Sequence, residues 1–254
     1  MDCAIARIRS VEGPLTVLED GRTRLEERIK RSPFRVSLCT PDQMPELGMF
    51  RYRVYVEQTG KAAAHADHVT KTLIEPIDFA SSHLLVRHES GTLVGSARIT
   101  TAANGWKLPP QCEPDPWPWV PPEHIACVSR TMIDRTCRNL IVVPQLFRSV
   151  CEWGKAHQIR LCGGFFGSPL LNLFLSYGWI PFADPFIDEF AGWQTPMVFA
   201  PNDRGTLEAA GSPLLSLVDA SAAHPADVAY MRGLRKRRFA GPGSVEINRS
   251  QRQS

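Results

Sequence analysis

The residue types able to do chemistry gather round one central stretch, HIACVSRTMIDRTCRNLIVVPQLFRSVCEWGKAHQIRLCGGF, from His124 to Phe165. Arg135, Arg138 and Asn139 fall in a short basic turn, and a helix must follow it closely. Pro144 is tolerable only in a first helical turn, where its missing N–H removes no bond, so that helix is expected to begin near Val143. Positive side chains beside the unpaired N–H groups of a helix N-terminus make an anion site. Other clusters promise less. His65, Asp67 and His68 lie close together, but nothing supplies a third fixed ligand at helical or hairpin spacing, and no metal is expected. Seven cysteines (Cys3, Cys39, Cys112, Cys127, Cys137, Cys151, Cys162) show no CxxC pair and no zinc-like spacing to histidine. They read as reduced thiols of a cytoplasmic protein. Trp117 and Trp119 need somewhere to bury their rings, and they either staple their loop to the body or wall an apolar ligand channel.

The elements that must position these groups can be read from periodicity. Ile125, Cys127 and Ser129, followed by Met132 and Ile133, indicate a strand. Leu146, Phe147, Val150, Gly154 and His157 share one helical face while Arg148, Glu152 and Lys155 point away. With a further strand over Leu161 to Phe166, the stretch is a βαβ-type unit wrapped round a cationic corner. Upstream, FRVSLC (Phe34 to Cys39) is a first strand. A helix from about Gln43 to Thr59 carries Met44, Leu47, Phe50, Val54 and Tyr55, with Arg51 and Arg53 in the same helix. Ser82 to Arg87 and Thr92 to Thr100 form a β-hairpin across Glu89-Ser90-Gly91. The proline- and tryptophan-rich segment from Thr101 to Glu123 cannot be regular helix or central strand and must lie over the surface. Downstream come a short apolar helix from Pro169 to Tyr177, closed by Gly178, then strands at Phe186 to Phe190 and Trp193 to Phe199. Beyond Pro201 the hydrophobic pattern weakens, apart from a helix between Pro225 and Arg238 whose LRKRRF end reads as a solvated tail.

With 254 residues, 43% of them hydrophobic, the chain can bury one sizeable core. A net charge of +3 is too mild for bulk nucleic-acid binding but leaves room for local basic patches. No apolar run approaches the length of a membrane span, and MDCAIARIRSVEG lacks the apolar core of a secretory signal, so neither is expected.

A helix with RYRVYVEQ, an acidic pair before a strand, a hairpin reading LVGSARI, a strand ending in VSR, a basic turn and helix, and a late GSPLLNLFLSYGW together resemble the GNAT N-acyltransferase superfamily. Within it the order is most similar to the autoinducer-synthase-like branch, which holds acyl-homoserine-lactone synthases and long-chain N-acyl amino acid synthases. The resemblance spans about Phe34 to Ala200. It implies an α/β (α+β) fold: a mixed, mostly antiparallel central sheet, splayed near the fourth strand and flanked by helices. The implied division is an N-terminal arm (1–32), an acyltransferase domain (33–200) with its insertion at 101–123, and a basic C-terminal extension (201–254).

The resemblance also implies roles. A thioester's pantetheine arm lies in the splay like an extra strand, and its phosphate end rests on the turn after it, here Arg135-Thr136-Cys137-Arg138-Asn139-Leu140. Relatives that use acetyl-CoA place glycines in that turn. None stands here, which tilts the expected donor from acyl-CoA towards acyl-ACP, with acyl carrier protein as the expected partner. Arg51 and Tyr55 match the family's first helix, Glu75 and Asp78 its two spaced acidic residues, Arg98 the arginine of the hairpin, and Ser129-Arg130 its SR pair. Glu75 stands where aspartate is typical, Lys61 near an expected tryptophan, and Cys127 where glutamate precedes the SR pair. These departures argue against an acyl-homoserine-lactone synthase using S-adenosylmethionine, which stays the alternative beside a catalytically silent binding module.

Chemistry asks for the same parts. An amine attacking a thioester must lose a proton, and the carbonyl oxygen needs donors as it becomes an oxyanion. Without a Ser-His-Asp order or nucleophile elbow, direct transfer is favoured over a covalent acyl-enzyme, with no permanently bound cofactor. Glu75 or Asp78, directly or through water, is the candidate base, unless either is only a structural partner of Arg98 or Arg130. The backbone N–H of Val128 or Ser129 is the candidate oxyanion donor. Cys127 in a buried strand is expected to be inert. Phe165, Phe166, Leu170, Leu171, Phe174 and Leu175 are either plain core or the lining of a tunnel for a medium or long acyl chain.

Overall fold

The computed structural model describes residues 25–60, 65–112, 115–138, 141–167, 170–188 and 192–237. A helical stretch at residues 25–30 (α1) leads into β1 (Phe34–Leu38). A 3-10 turn at Pro41–Gln43, where Gln43 Oε1 accepts from the Thr40 N–H at 3.0 Å, starts α2 (Met44–Tyr52). The expected single helix does not run straight to its end. It loosens into a π-turn over Arg53–Glu57, a local widening common beside functional sites.

A small hairpin, β2 (Ala66–Asp67) and β3 (Thr72–Leu73), had no signal in the sequence. After a 3-10 turn at Pro76–Ala80 come the expected hairpin strands β4 (Ser82–His88) and β5 (Leu93–Thr101). The central unit is β6 (Ile125–Ile133), α3 (Val142–Ala156) and β7 (Leu161–Gly167). Then follow α4 (Leu171–Ser176), β8 (Ile180–Pro181), β9 (Phe186–Asp188), β10 (Gly192–Phe199), α5 (Arg204–Ala210) and α6 (Pro225–Lys236). Gly178 closes α4 at φ 95°, as the sequence suggested. Among the described residues no helix is long and apolar enough to cross a membrane.

The strands join in one sheet ordered β1-β4-β5-β6-β7-β10-β8, with β9 also on β10. Every pairing is antiparallel except β6 with β7. That parallel pair is short. Ile125, Ala126 and Cys127 register with Leu161, Cys162 and Gly163, and beyond them the two strands part. A second irregularity lies on the other edge of β6. Ser96 faces Met132 and Arg98 faces Ser129, so Ala97 stands opposite both Arg130 and Thr131. This β-bulge bends and twists its strand. Arg130 sits in it at φ 48°, a left-handed conformation that costs a non-glycine residue on the order of 1–3 kcal/mol.

One sheet face packs under α3, with Val142, Leu146, Phe147 and Cys151 meeting Ala97, Ile99, Ala126 and Val128. The opposite face carries two separate apolar clusters. Leu47, Phe50 and Val54 of α2 and its π-turn cover Leu85, Leu93 and Met132. Trp117 and Val120 of the insertion, with Met231 and Leu234 of α6, cover Leu161 and Val198. Within the C-terminal extension, the Arg235, Lys236 and Arg237 end is exposed, as expected of LRKRRF, whereas earlier residues are not. Leu207, Leu214 and Leu215 join the α3 core, while residues 238–254 lie outside the described residues.

Candidate active site

The gap between the two apolar clusters is where β5 and β6 present Arg98 and Ser129. Arg98 organises the centre. Its Nε donates to Ser129 Oγ at 3.0 Å, and its Nη1 donates to Glu75 Oε2 at 2.7 Å and to Asp78 Oδ1 at 3.0 Å. The bulge aims Arg130 at the same carboxylate, its Nε and Nη2 each 2.6 Å from a Glu75 oxygen, a two-pronged pairing that fixes orientation as well as charge. The Tyr55 ring from the π-turn lies under the Arg130 guanidinium, 5.4 Å from its centroid. From α2, Arg51 places Nη1 2.9 Å from Asp78 Oδ2, and neither side chain is more than 1% exposed.

Glu75 and Asp78 stand at the ends of one tight turn. The Glu75 N–H donates to Asp78 Oδ2 at 2.7 Å, which closes the 3-10 turn at Pro76–Ala80. Burial would raise the Glu75 carboxyl, but the hydrogen bonds and charge of Arg130, with Arg98, outweigh it and hold it below the usual carboxylate range. Burial likewise opposes ionisation of Asp78, and Arg51 and the Glu75 N–H outweigh it in the same direction. Both carboxylates are therefore ionised against three guanidiniums. Glu75, its side chain 14% exposed, is the one with access to solvent; that of Asp78 is fully enclosed.

The structure thus brings Arg51, Tyr55, Glu75, Asp78, Arg98, Ser129 and Arg130 into one cluster beside the fork of β6 and β7. Cys127 is buried, and loss of solvation pushes its thiol up to about 12, so it is no nucleophile at neutral pH.

At the far end of β6, the 3-10 turn Arg135–Cys137 and Arg138 form the basic corner, both arginines exposed. Asp134 ties that corner to the π-turn, accepting from Gln58 Nε2 at 3.0 Å with Arg53 Nη2 at 3.6 Å. Ile141, at the N-cap of α3, supplies no side-chain cap to the helix. Asn139 lies outside the described residues, as does Lys61.

The tryptophans act as staples. Trp117, 1% exposed, packs 5.0 Å from the Phe182 ring, and Trp119 Nε1 donates to Asp227 Oδ1 of α6 at 3.0 Å. Arg160 holds the same carboxylate with Nε and Nη2 at 2.9 and 2.8 Å. The Trp106 and Trp117 rings rest against bare Gly163, where a Cβ would come within 3.0 Å of each. Of the apolar residues considered for a tunnel, Phe166 and Phe174 stack in the α3 core at 3.5 Å between centroids. Phe165 belongs to the opposite face, beside Trp106 and Phe186. Leu170 and Leu175 are 47% and 39% exposed.

His65, Asp67 and His68 do not form a metal group, and none of three or more His, Cys, Asp or Glu side chains occurs among the described residues. Asp67 instead caps the N–H groups of Val69 and Thr70, and His68 Nδ1 meets the Tyr52 hydroxyl at 2.8 Å. Sequence reasoning missed His83, Gln58, Asp134 and Trp106. A polar residue inside the apolar run of β4 was the available signal for His83.

No protein-family model and no curated protein matches the sequence. Solved structures do match the fold. TofI, in a ternary complex with an inhibitor and MTA, superposes with a TM-score of 0.53 at 18% identity, over 75% of this chain and 99% of that one. The CoA-dependent acyl-homoserine lactone synthase BjaI, with SAM and isopentyl-CoA, gives 0.54 at 18% identity, over 78% and 99%. FeeM, an N-acyl amino acid synthase from uncultured soil microbes, gives 0.55 at 13% identity, over 73% and 98%. The chain has this GNAT-like fold, as the motif order implied.

Proposed function

We propose that the protein is an N-acyltransferase that moves a medium or long acyl group from a carrier thioester to the amine of an amino acid or similar small metabolite. The observation that carries this reading is the fork between β6 and β7, opening beside a cluster of Glu75, Arg98 and Arg130. That the fold is shared with an N-acyl amino acid synthase and a CoA-dependent acyl-homoserine lactone synthase supports it. The donor's pantetheine arm enters the fork as a strand-like guest, using backbone groups that β7 leaves unpaired. Its phosphate end lies on the corner of Arg135 and Arg138, near the start of α3. Acyl-ACP is the favoured donor and acyl-CoA the second, because an acidic carrier protein suits an exposed basic corner.

The acceptor's ammonium lies against Glu75. A carboxylate held this low is a weak base, so its part is to bind the ammonium and pass a proton to water rather than keep it. Asp78, enclosed behind it, sets the position of Arg98. The Val128 or Ser129 N–H receives the developing oxyanion. Attack is direct, within a ternary complex, consistent with the unreactive Cys127.

Incubation with panels of acyl-ACPs, acyl-CoAs and amino acids, read by mass spectrometry, tests the reading. An N-acylated amine with loss of the thioester is expected. Consumption of no thioester with any pair counts against it.

A further inference from the structure

Behind the ionic cluster lies a histidine that none of these steps uses. His83 on β4 registers with Arg98 and is 4% exposed, too enclosed to touch a substrate. Both ring nitrogens are committed. Nδ1 lies 3.0 Å from Arg51 Nη2, and Nε2 lies 2.9 Å from the backbone oxygen of Asp78. A guanidinium only donates and a carbonyl only accepts, so Nδ1 must be the acceptor and Nε2 must carry the proton. One neutral ring in one tautomer therefore joins α2 to the turn at Pro76–Ala80. From there the links continue outward: Arg51 to Asp78 Oδ2, Asp78 Oδ1 to Arg98, and Arg98 to Glu75.

Resting on the acyltransferase reading, we propose that His83 is a positioning residue for amine acylation, fixing Arg51 and the Asp78 backbone and through them the orientation of Arg98 and Glu75. The groups facing the ring agree with a neutral state. Arg51 faces it from α2, Asp78 from the turn and Arg98 from β5, while the Cys39 N–H meets only its backbone oxygen, at 2.8 Å. Burial, followed by the two guanidiniums, lowers the imidazole's affinity for a second proton despite Asp78. The 3.9 Å approach of Nε2 to Asp78 Oδ1 is then no ion pair.

Replacement by phenylalanine keeps the volume and removes both hydrogen bonds, whereas glutamine can accept from Arg51 and donate to Asp78. His83→Phe is expected to raise the KM for the amine about 10- to 100-fold with the donor KM within about twofold of wild type, and His83→Gln to recover most of the loss. A folded His83→Phe with wild-type amine kinetics overturns the proposal. Nitrogen NMR of the full-length protein supplies a measure that needs no turnover. The ring should be an Nε2–H tautomer that stays neutral below the ordinary imidazole value of about 6.5, and the Arg98 Nε–H signal should move in His83→Gln far less than in His83→Phe. An Nδ1–H tautomer, or ordinary titration, overturns it even if His83→Phe does not fold. Should wild type acylate no amine while the NMR results hold, the acyltransferase reading fails and the clamp stands as a structural device only.

Discussion

Two groups of arginines flank β6, and they obey different physics. Arg51, Arg98 and Arg130 are half to fully enclosed and tied to two carboxylates at 2.6 to 3.0 Å. Arg135 and Arg138 lie open to solvent at the end of the same strand. Charges in the first group are dear to remove, because each deletion leaves a buried partner uncompensated. In the second group they are screened by salt and cost the fold little. The contrast separates an enclosed ionic cluster from an open basic corner, which on the proposed reading are the reaction centre and the docking surface.

The hardest blow to the comparison comes from the enclosed side. Asp78→Ala leaves Arg51 and Arg98 without their shared partner and should destabilise the protein by about 3–5 kcal/mol in chemical denaturation. A loss no larger than a surface substitution's would mean the cluster is open to water. Glu75→Gln keeps the shape and removes the charge, and acyl transfer should fall about 100-fold or more while the circular dichroism spectrum is unchanged. Retained transfer would reduce Glu75 to a scaffold residue.

Acidification resolves the enclosed side into two steps. His83 holds its proton less well folded than unfolded, so stability begins to fall below the unfolded imidazole value of about 6.5. Glu75 and Asp78 are depressed in the folded state, so their contribution is intact above about pH 4 and lost as the pH drops through their folded values. Denaturation midpoints from pH 8 to 3 should show both steps for wild type, and His83→Gln should lack the first.

The smallest effect belongs to the open side. Arg135→Ala with Arg138→Ala should raise the donor KM several-fold, on the order of 0.5–1 kcal/mol per charge, and flatten its dependence on ionic strength, with melting unaffected. A donor KM insensitive to salt in wild type would remove the docking role of the corner.

The same division explains what could be read from the residues alone. Strands, the hairpin and α3 were legible because burial of one face writes a period into the sequence, as in Ser82–His88 and Val142–Ala156. Charged positions at Glu75, Asp78, Arg98 and Arg130 were legible through motif order. Their pairing was not, since Arg130 reaches Glu75 only through a backbone turn of φ 48° that no periodicity announces. The hydrophobic pattern beyond Pro201 is weak because Leu207, Leu214 and Leu215 are spaced by a turn rather than along one helix, so their burial in the α3 core left no stripe. Trp119 was readable as a large ring in need of a home, but Asp227, its partner more than a hundred residues on, was not.

The extra residue in β6 also acts as a counter. Strand side chains alternate with a beat of two, and Ala126 and Val128 mark the beats that face α3. On an uninterrupted beat Met132 would face α3 as well, yet it packs beneath α2 with Leu85 and Leu93. A chain shortened by one residue at Arg130 or Thr131 would remove the bulge yet leave Met132 beneath α2 and Ile133 towards α3, because the residue lost is the extra one; what would go is the left-handed turn that aims Arg130 at Glu75. The length of this strand thus sets the Arg130–Glu75 pairing as much as any side chain on it, and natural variation there should come as substitutions, never as single-residue gaps.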